Sequence, residues 1–139
     1  MTHEKRIEIR WRDLDAYRHV NNAVYATYLE ECRDEWMERA LGEAGDLWDF
    51  VLARVAIDFR RELHQNDVAV IVRCRLARIG NSSIGTREEI FKQDGTLAAE
   101  AEAVLVARNL SEGGSRPLTA AERGAFELAL AADTALESG

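Results

Sequence analysis

One segment limits the possible folds more than any other. From Asn22 onward Tyr25, Tyr28, Leu29, Cys32, Trp36 and Ala40 recur at helical spacing, while Thr27, Glu30, Glu31, Asp34, Glu35 and Glu38 take the opposite side. The pattern predicts one long amphipathic helix that stops near Gly42, a residue suited to a C-terminal cap. Most of the remaining regular patterning is that of strands. Residues 6–12 alternate Ile7, Ile9 and Trp11 with Arg6, Glu8, Arg10 and Arg12. Further strands are expected near 50–63 and over 68–79, 82–93 and 97–108, with Asp94-Gly95 as the hairpin turn between the last two. One strand, one helix and four strands predict an α+β fold, an antiparallel five-stranded sheet wrapped around a central helix. The small residues Ala99, Ala101 and Ala103 share one face of the last strand, and the helix is expected to dock there.

At 139 residues the chain is long enough for one real core without obviously holding two, and a single domain is expected. Residues 1–110 carry the main body of the domain. Residues 111–139 add a loop, a helix begun by Thr119 with Glu122 at the capping-box position, and a tail expected to fray beyond Ala132, all within the same domain. Phe126, Leu128 and Leu130 are the expected anchors of that helix. A net charge of −7 with dispersed basic residues argues against nucleic acid. There is no apolar run of membrane-spanning length and no signal-peptide pattern at the N-terminus, so a cytoplasmic protein without membrane attachment is expected. Cys32 and Cys74 have no metal-ligand spacing and read as buried thiols.

The chemistry concentrates between the first strand and the helix. Asp13-Leu14-Asp15 is followed by His19-Val20-Asn21-Asn22 and Tyr25. Asn21 or Asn22 serves as N-cap, leaving backbone N–H groups at the positive end of the helix dipole where a carbonyl oxygen could be polarised. A carboxylate beside such an end suits acyl transfer, either by attacking the carbonyl or by activating water. The same residues also serve ordinary turns and caps, so spacing alone leaves both readings open. His19, with His3 and His64 distant in sequence, reads as a hydrogen-bonded loop residue rather than a metal ligand, and no metal is expected.

Residues 10–36, RWRDLDAYRHVNNAVYATYLEECRDEW, resemble the hotdog-fold acyl-CoA thioesterases of the 4-hydroxybenzoyl-CoA thioesterase family. The family's strand, acidic loop, His-Val-Asn-Asn type turn, tyrosine and long helix occur here in order. Residues 55–63 and 79–84 resemble the family's second strand and its third-to-fourth strand turn. By position, the resemblance makes Asp15 the catalytic carboxylate, nucleophile or general base, and the Asn22 backbone N–H the oxyanion donor. Asp13 matches a neighbour with no fixed role, and His19, Asn21 and Tyr25 match positions that shape the site. Many relatives have glycine just before the histidine, where this chain has Arg18, a change that adds charge and removes backbone freedom.

The resemblance implies hydrolysis of an acyl-CoA thioester to a free acid and CoA. No cofactor is needed, CoA being part of the substrate. Arg60, Arg61, Arg78 and Ser82, near strand ends, are candidates for binding its phosphates or pantetheine, or else ordinary solvated charges. The resemblance also implies a homodimer paired edge to edge, or a tetramer of two such dimers, with residues 55–62 of a second copy opposite Asp15. The alternatives are an acyl-carrier-protein thioesterase and a non-catalytic acyl-CoA-binding module.

Overall fold

The structure, a computed structural model, describes residues 1–138, with side chains through Asp133. In chain order it contains β1 (Thr2–Glu8), α1 (Asn22–Leu41), β2 (Phe50–Phe59), β3 (Ala69–Ile79), β4 (Ser83–Lys92), β5 (Leu97–Ala107) and α2 (Ala120–Ser138). The strands form one sheet in the order β1-β3-β4-β5-β2, and every neighbouring pair is antiparallel. This is the hotdog arrangement that the resemblance implies.

The helix forms as its pattern predicts. Asn21 Oδ1 accepts the Ala23 N–H at 2.9 Å, so Asn21 is the N-cap, and Gly42 closes the other end at φ 53°, in the left-handed region that glycine enters without strain. Tyr25, Tyr28, Leu29, Cys32, Trp36, Met37 and Leu41 form the buried face. Arg33 is also buried, and its guanidinium donates twice to the Glu88 carboxylate, each bond 2.8 Å. Thr86 donates its hydroxyl to the same carboxylate at 2.6 Å. Such fork-on-fork pairing is what makes a buried carboxylate tolerable.

The docking surface differs from the one expected. α1 lies over β3 and its neighbours β1 and β4, not over β5. β3, one strand in from the β1 edge, is flanked by β1 and β4, and its buried Val70, Val72, Cys74 and Leu76 supply an apolar face for α1 to cover.

Two boundaries also move. β1 starts at Thr2 and ends at Glu8, and Trp11 belongs to a short 3-10 turn over Trp11–Asp13, where it is 81% exposed. Asp13 ends the strand pattern there: its carboxylate takes the Arg10 N–H at 2.9 Å and folds the chain into the turn. At the other end, the α2 capping box is present as expected, with the Thr119 hydroxyl accepting the Glu122 N–H and the Glu122 carboxylate accepting the Thr119 N–H. α2 continues past Ala132, where fraying was expected, to Ser138; Gly139 lies outside the described residues. Phe126 anchors the helix by stacking on Trp36 and meeting Phe50 edge-on, whereas Leu128 faces solvent.

Candidate active site

The acid loop is built by short-range hydrogen bonds. Leu14 and Val20 form an antiparallel bridge, and the Asp15 N–H donates to the His19 carbonyl at 2.8 Å, so residues 14–20 make a small closed hairpin leading straight into α1. The Asn21 N–H donates to the Asp13 carbonyl at 3.0 Å, which sets the amino end of the helix beside the acid pair. Asn22 is the first helical residue, so its N–H has no acceptor inside the helix.

The two aspartates part company here. Asp13 is 6% exposed, and its Oδ2 accepts the Tyr28 hydroxyl at 2.6 Å as well as the Arg10 N–H. Burial and the neighbouring Asp13 together push the Tyr28 hydroxyl's pKa far above its usual value, so the phenol keeps its proton and donates it to Asp13. Asp13 is a structural pin. Asp15 is half-buried, and only its Oδ1 is engaged, accepting the N–H groups of Tyr17 at 2.9 Å and His19 at 3.3 Å. Among the described residues nothing occupies Oδ2, which leaves one carboxylate oxygen for a ligand.

Asp15 lines an open cavity of about 990 Å³ with Trp11, Arg12, Leu14, Arg18 and His64. That volume is at the upper end of small-molecule sites. A second cavity, of about 460 Å³, is lined by charges of both signs, including Arg54, Arg87, Glu89 and Glu102, and shares no residue with the first.

Arg18 stands at φ 64°, in the left-handed region that favours glycine. The loop therefore places an arginine on a glycine-type backbone, at a cost of about 1–2 kcal/mol. Val68, at φ 67°, is the other non-glycine residue of this kind among the described residues, and it follows the 64–67 loop that forms the opposite wall. Of the two, Arg18 lines the cavity and Val68 does not, so strain at the cavity itself rests on Arg18.

The two walls are joined. His19 and His64 form an antiparallel bridge, and the Val20 N–H donates to the Leu63 carbonyl at 2.8 Å. Tyr25, buried at the first turn of α1, donates its hydroxyl to the Arg61 carbonyl at 3.0 Å and accepts the Leu63 N–H at 3.1 Å, fixing the chain that leaves β2 against the helix. Burial raises its phenol pKa, so it remains a neutral brace. Tyr25 and His19, expected as site-shaping residues, brace the two loops but do not line the cavity, and Asn21 is an exposed cap.

His64, Gln65, Asn66 and Arg12 were not anticipated as cavity walls. Turn-forming residues at 64–67 mark a loop, but nothing local says which loop it will meet. The expected substrate-binding arginines lie elsewhere in the single chain. Arg60 reaches Glu100 at 3.3 Å, Arg61 donates to the Arg60 carbonyl, and Arg78 folds over Gly85, where a Cβ would come within 2.9 Å of it. Ser82 is in the β3–β4 turn, and its carbonyl accepts the Ala107 N–H. None of the four lines the Asp15 cavity. Neither thiol competes as nucleophile: burial pushes Cys32 up to about 12 and Cys74 well above its ordinary value.

A hotdog sheet with an acid loop opening onto its helix is one form of the thioesterase-like superfamily, whose sequence profile matches residues 9–128, and the chain belongs to that superfamily. It is 29% identical over 111 residues to the long-chain acyl-CoA thioesterase FadM of Escherichia coli K12, an alignment covering 77% of this chain and 83% of the relative. Among solved structures it resembles a thioesterase of Thermus thermophilus complexed with coenzyme A and Zn, at a TM-score of 0.79 and 32% identity over 91% of this chain and 92% of that one. A 1,4-dihydroxy-2-naphthoyl-CoA thioesterase from Synechocystis shares the fold at a TM-score of 0.76 and 20% identity, over 91% and 96% of the two chains.

Proposed function

We propose that this chain hydrolyses acyl-CoA thioesters, with Asp15 as the reacting carboxylate and the Asn22 N–H as oxyanion donor. The observation that carries the assignment is the contrast within the acid pair: Asp13 is buried and pinned through its Oδ2 by Tyr28 and Arg10, while Asp15 is half-buried and lines the large cavity.

Two routes use the same groups. In one, Asp15 attacks the thioester carbon, CoA leaves as thiolate, and water cleaves the resulting mixed anhydride. In the other, Asp15 takes a proton from water as the hydroxide adds, and the tetrahedral intermediate expels the thiolate. Both yield acid and CoA, and both place negative charge on the former carbonyl oxygen, where an unpaired amide at the positive end of α1 is most useful.

Similarity to a long-chain acyl-CoA thioesterase and to a structure holding coenzyme A supports CoA over a carrier protein as donor. Arg12 and Arg18 supply positive charge in the cavity for its phosphates. Thiol release from long-chain, short-chain and aromatic acyl-CoAs tests the reading. Release from at least one, abolished in Asp15→Asn, supports it, and no release from any refutes it.

The working unit in this reading is a homodimer joined through β2. That strand is an outer edge of the sheet and exposes Leu52, Val55 and Phe59 along with its unpaired backbone groups. A ten-residue apolar edge is a pairing site. Pairing with a second copy would extend the sheet and bring residues 55–62 of that copy, including Arg60 and Arg61, toward the cavity. Sedimentation should give a dimer or a tetramer for wild type and a monomer for the Leu52→Lys, Val55→Lys double variant. A wild-type monomer would remove this part of the proposal.

A further inference from the structure

His19 and His64 are far apart in sequence and joined in the fold. Their rings meet edge to face with centroids 4.7 Å apart, and both face one carboxylate: Glu62 Oε2 is 3.5 Å from His19 Nε2 and 3.8 Å from His64 Nε2. The ligand atoms of the three residues all lie within 4.8 Å of one another. We propose that His19, Glu62 and His64 form a binding site for a late first-row divalent cation, zinc in the first instance, on the wall of the Asp15 cavity. The proposal is independent of thioester hydrolysis.

Spacing is the first argument. Ligand atoms about 2.0–2.1 Å from a tetrahedral zinc stand about 3.3–3.4 Å apart. The two histidine-to-glutamate distances exceed that edge by only a few tenths of an ångström, a gap that small side-chain rotations close. Two imidazoles and one carboxylate are also a donor set that favours zinc and its neighbours over magnesium or calcium, which prefer all-oxygen shells.

Preorganisation is the second. The backbone bridge between His19 and His64 fixes the distance between the two imidazole stems. The His19 N–H donates to Asp15 Oδ1, and the His64 N–H donates to Asp67 Oδ2 at 2.8 Å, so neither stem is free to swing. The Gln65 amide, donating to the Ile9 carbonyl at 3.0 Å, holds the second loop to the chain leaving β1. Most of the ordering entropy is thus spent in folding, before a metal arrives.

Access is the third. Glu62 and His64 side chains are 65% and 43% exposed, so an ion has an entry path and room for water at the fourth position. A plain histidine–carboxylate contact needs only one imidazole; here two converge on the same oxygen. His64 lines the Asp15 cavity, so the cation would add positive charge beside the proposed carboxylate.

The test uses the full chain, free of any histidine tag and stripped with EDTA. Zn²⁺ is titrated calorimetrically and Co²⁺ by visible absorption, both at pH 7.5. One ion per chain is expected, with affinity at least about tenfold weaker in His64→Ala and in Glu62→Gln. His3→Ala, which alters a histidine held by Glu35 and Arg39 elsewhere on the surface, should bind as wild type does. Imidazole ¹H–¹⁵N spectra of wild type provide a check that needs no variant: zinc should shift His19 and His64 and leave His3 in place. No binding, equal affinity in wild type, His64→Ala and Glu62→Gln, or shifts confined to His3 would each overturn the site.

Discussion

Replacing each member of the acid pair by its amide separates their roles. In Asp15→Asn the side-chain oxygen that accepts the Tyr17 and His19 N–H groups survives, so the loop keeps both bonds and loses only their charge assistance. For a half-exposed group that amounts to at most about 1 kcal/mol, or a fall in Tm of a few degrees. The chemistry loses its nucleophile or base, an effect of about 10²- to 10⁴-fold on kcat, equivalent to ~3–5 kcal/mol of transition-state stabilisation. Asp13→Asn should behave in the opposite way. Its carboxylate is buried and takes a phenol at 2.6 Å and a backbone N–H at 2.9 Å, so neutralising it weakens two charge-assisted bonds in a dry setting, for a loss of about 2–3 kcal/mol. Because Asp13 touches no reacting atom in this scheme, kcat should remain within about tenfold of wild type. Thermal melts by circular dichroism and thiol release with saturating acyl-CoA measure both quantities on the same preparations. A fully active Asp15→Asn, or an Asp13→Asn that melts normally but has lost its activity, would refute the assignment.

Arg18→Gly should raise stability by about 0.5–1 kcal/mol, the left-handed strain relieved less the extra freedom of glycine in the unfolded chain, whereas Arg18→Ala keeps the strain and should not. Melting temperatures of the two variants decide this, and equal values would remove the strain argument. The Arg116 guanidinium holds the Glu122 carboxyl below its usual 4.5, with the Thr119 N–H assisting against burial. A carboxyl lowered in the folded state contributes stability that is complete above about pH 4.5 and is lost as pH falls through the lowered folded value. Urea unfolding in that acid window should therefore show a smaller pH-dependent loss for Glu122→Gln than for wild type. Parallel curves would show that the pair contributes nothing to acid sensitivity.

Local pattern was sufficient for the elements. The apolar positions from Tyr25 to Trp36, the Asn21 cap and the Gly42 stop place α1 because helix periodicity and capping are decided within a few residues of each position. The Asp94-Gly95 turn and the Thr119–Glu122 capping box follow for the same reason. Trp11 misled because alternation continues on paper past Glu8, whereas the strand ends where Asp13 takes the Arg10 N–H.

What the sequence by itself determined, then, is the set of elements, their order and the presence of acids at the mouth of a helix. The tertiary structure alone decided that β3 and its neighbours, not the alanine face of β5, carry the helix, because strand order depends on pairings between distant segments. The family resemblance had singled out Asp15, but only the fold buried Asp13 against Tyr28 and left Asp15 on a cavity wall, since burial is a property of the neighbours a residue acquires. It alone brought His64 to His19. Spacing along the chain records no contact that closes through 44 intervening residues, and only the folded backbone, bridging residue 19 to residue 64, places two imidazoles on one carboxylate.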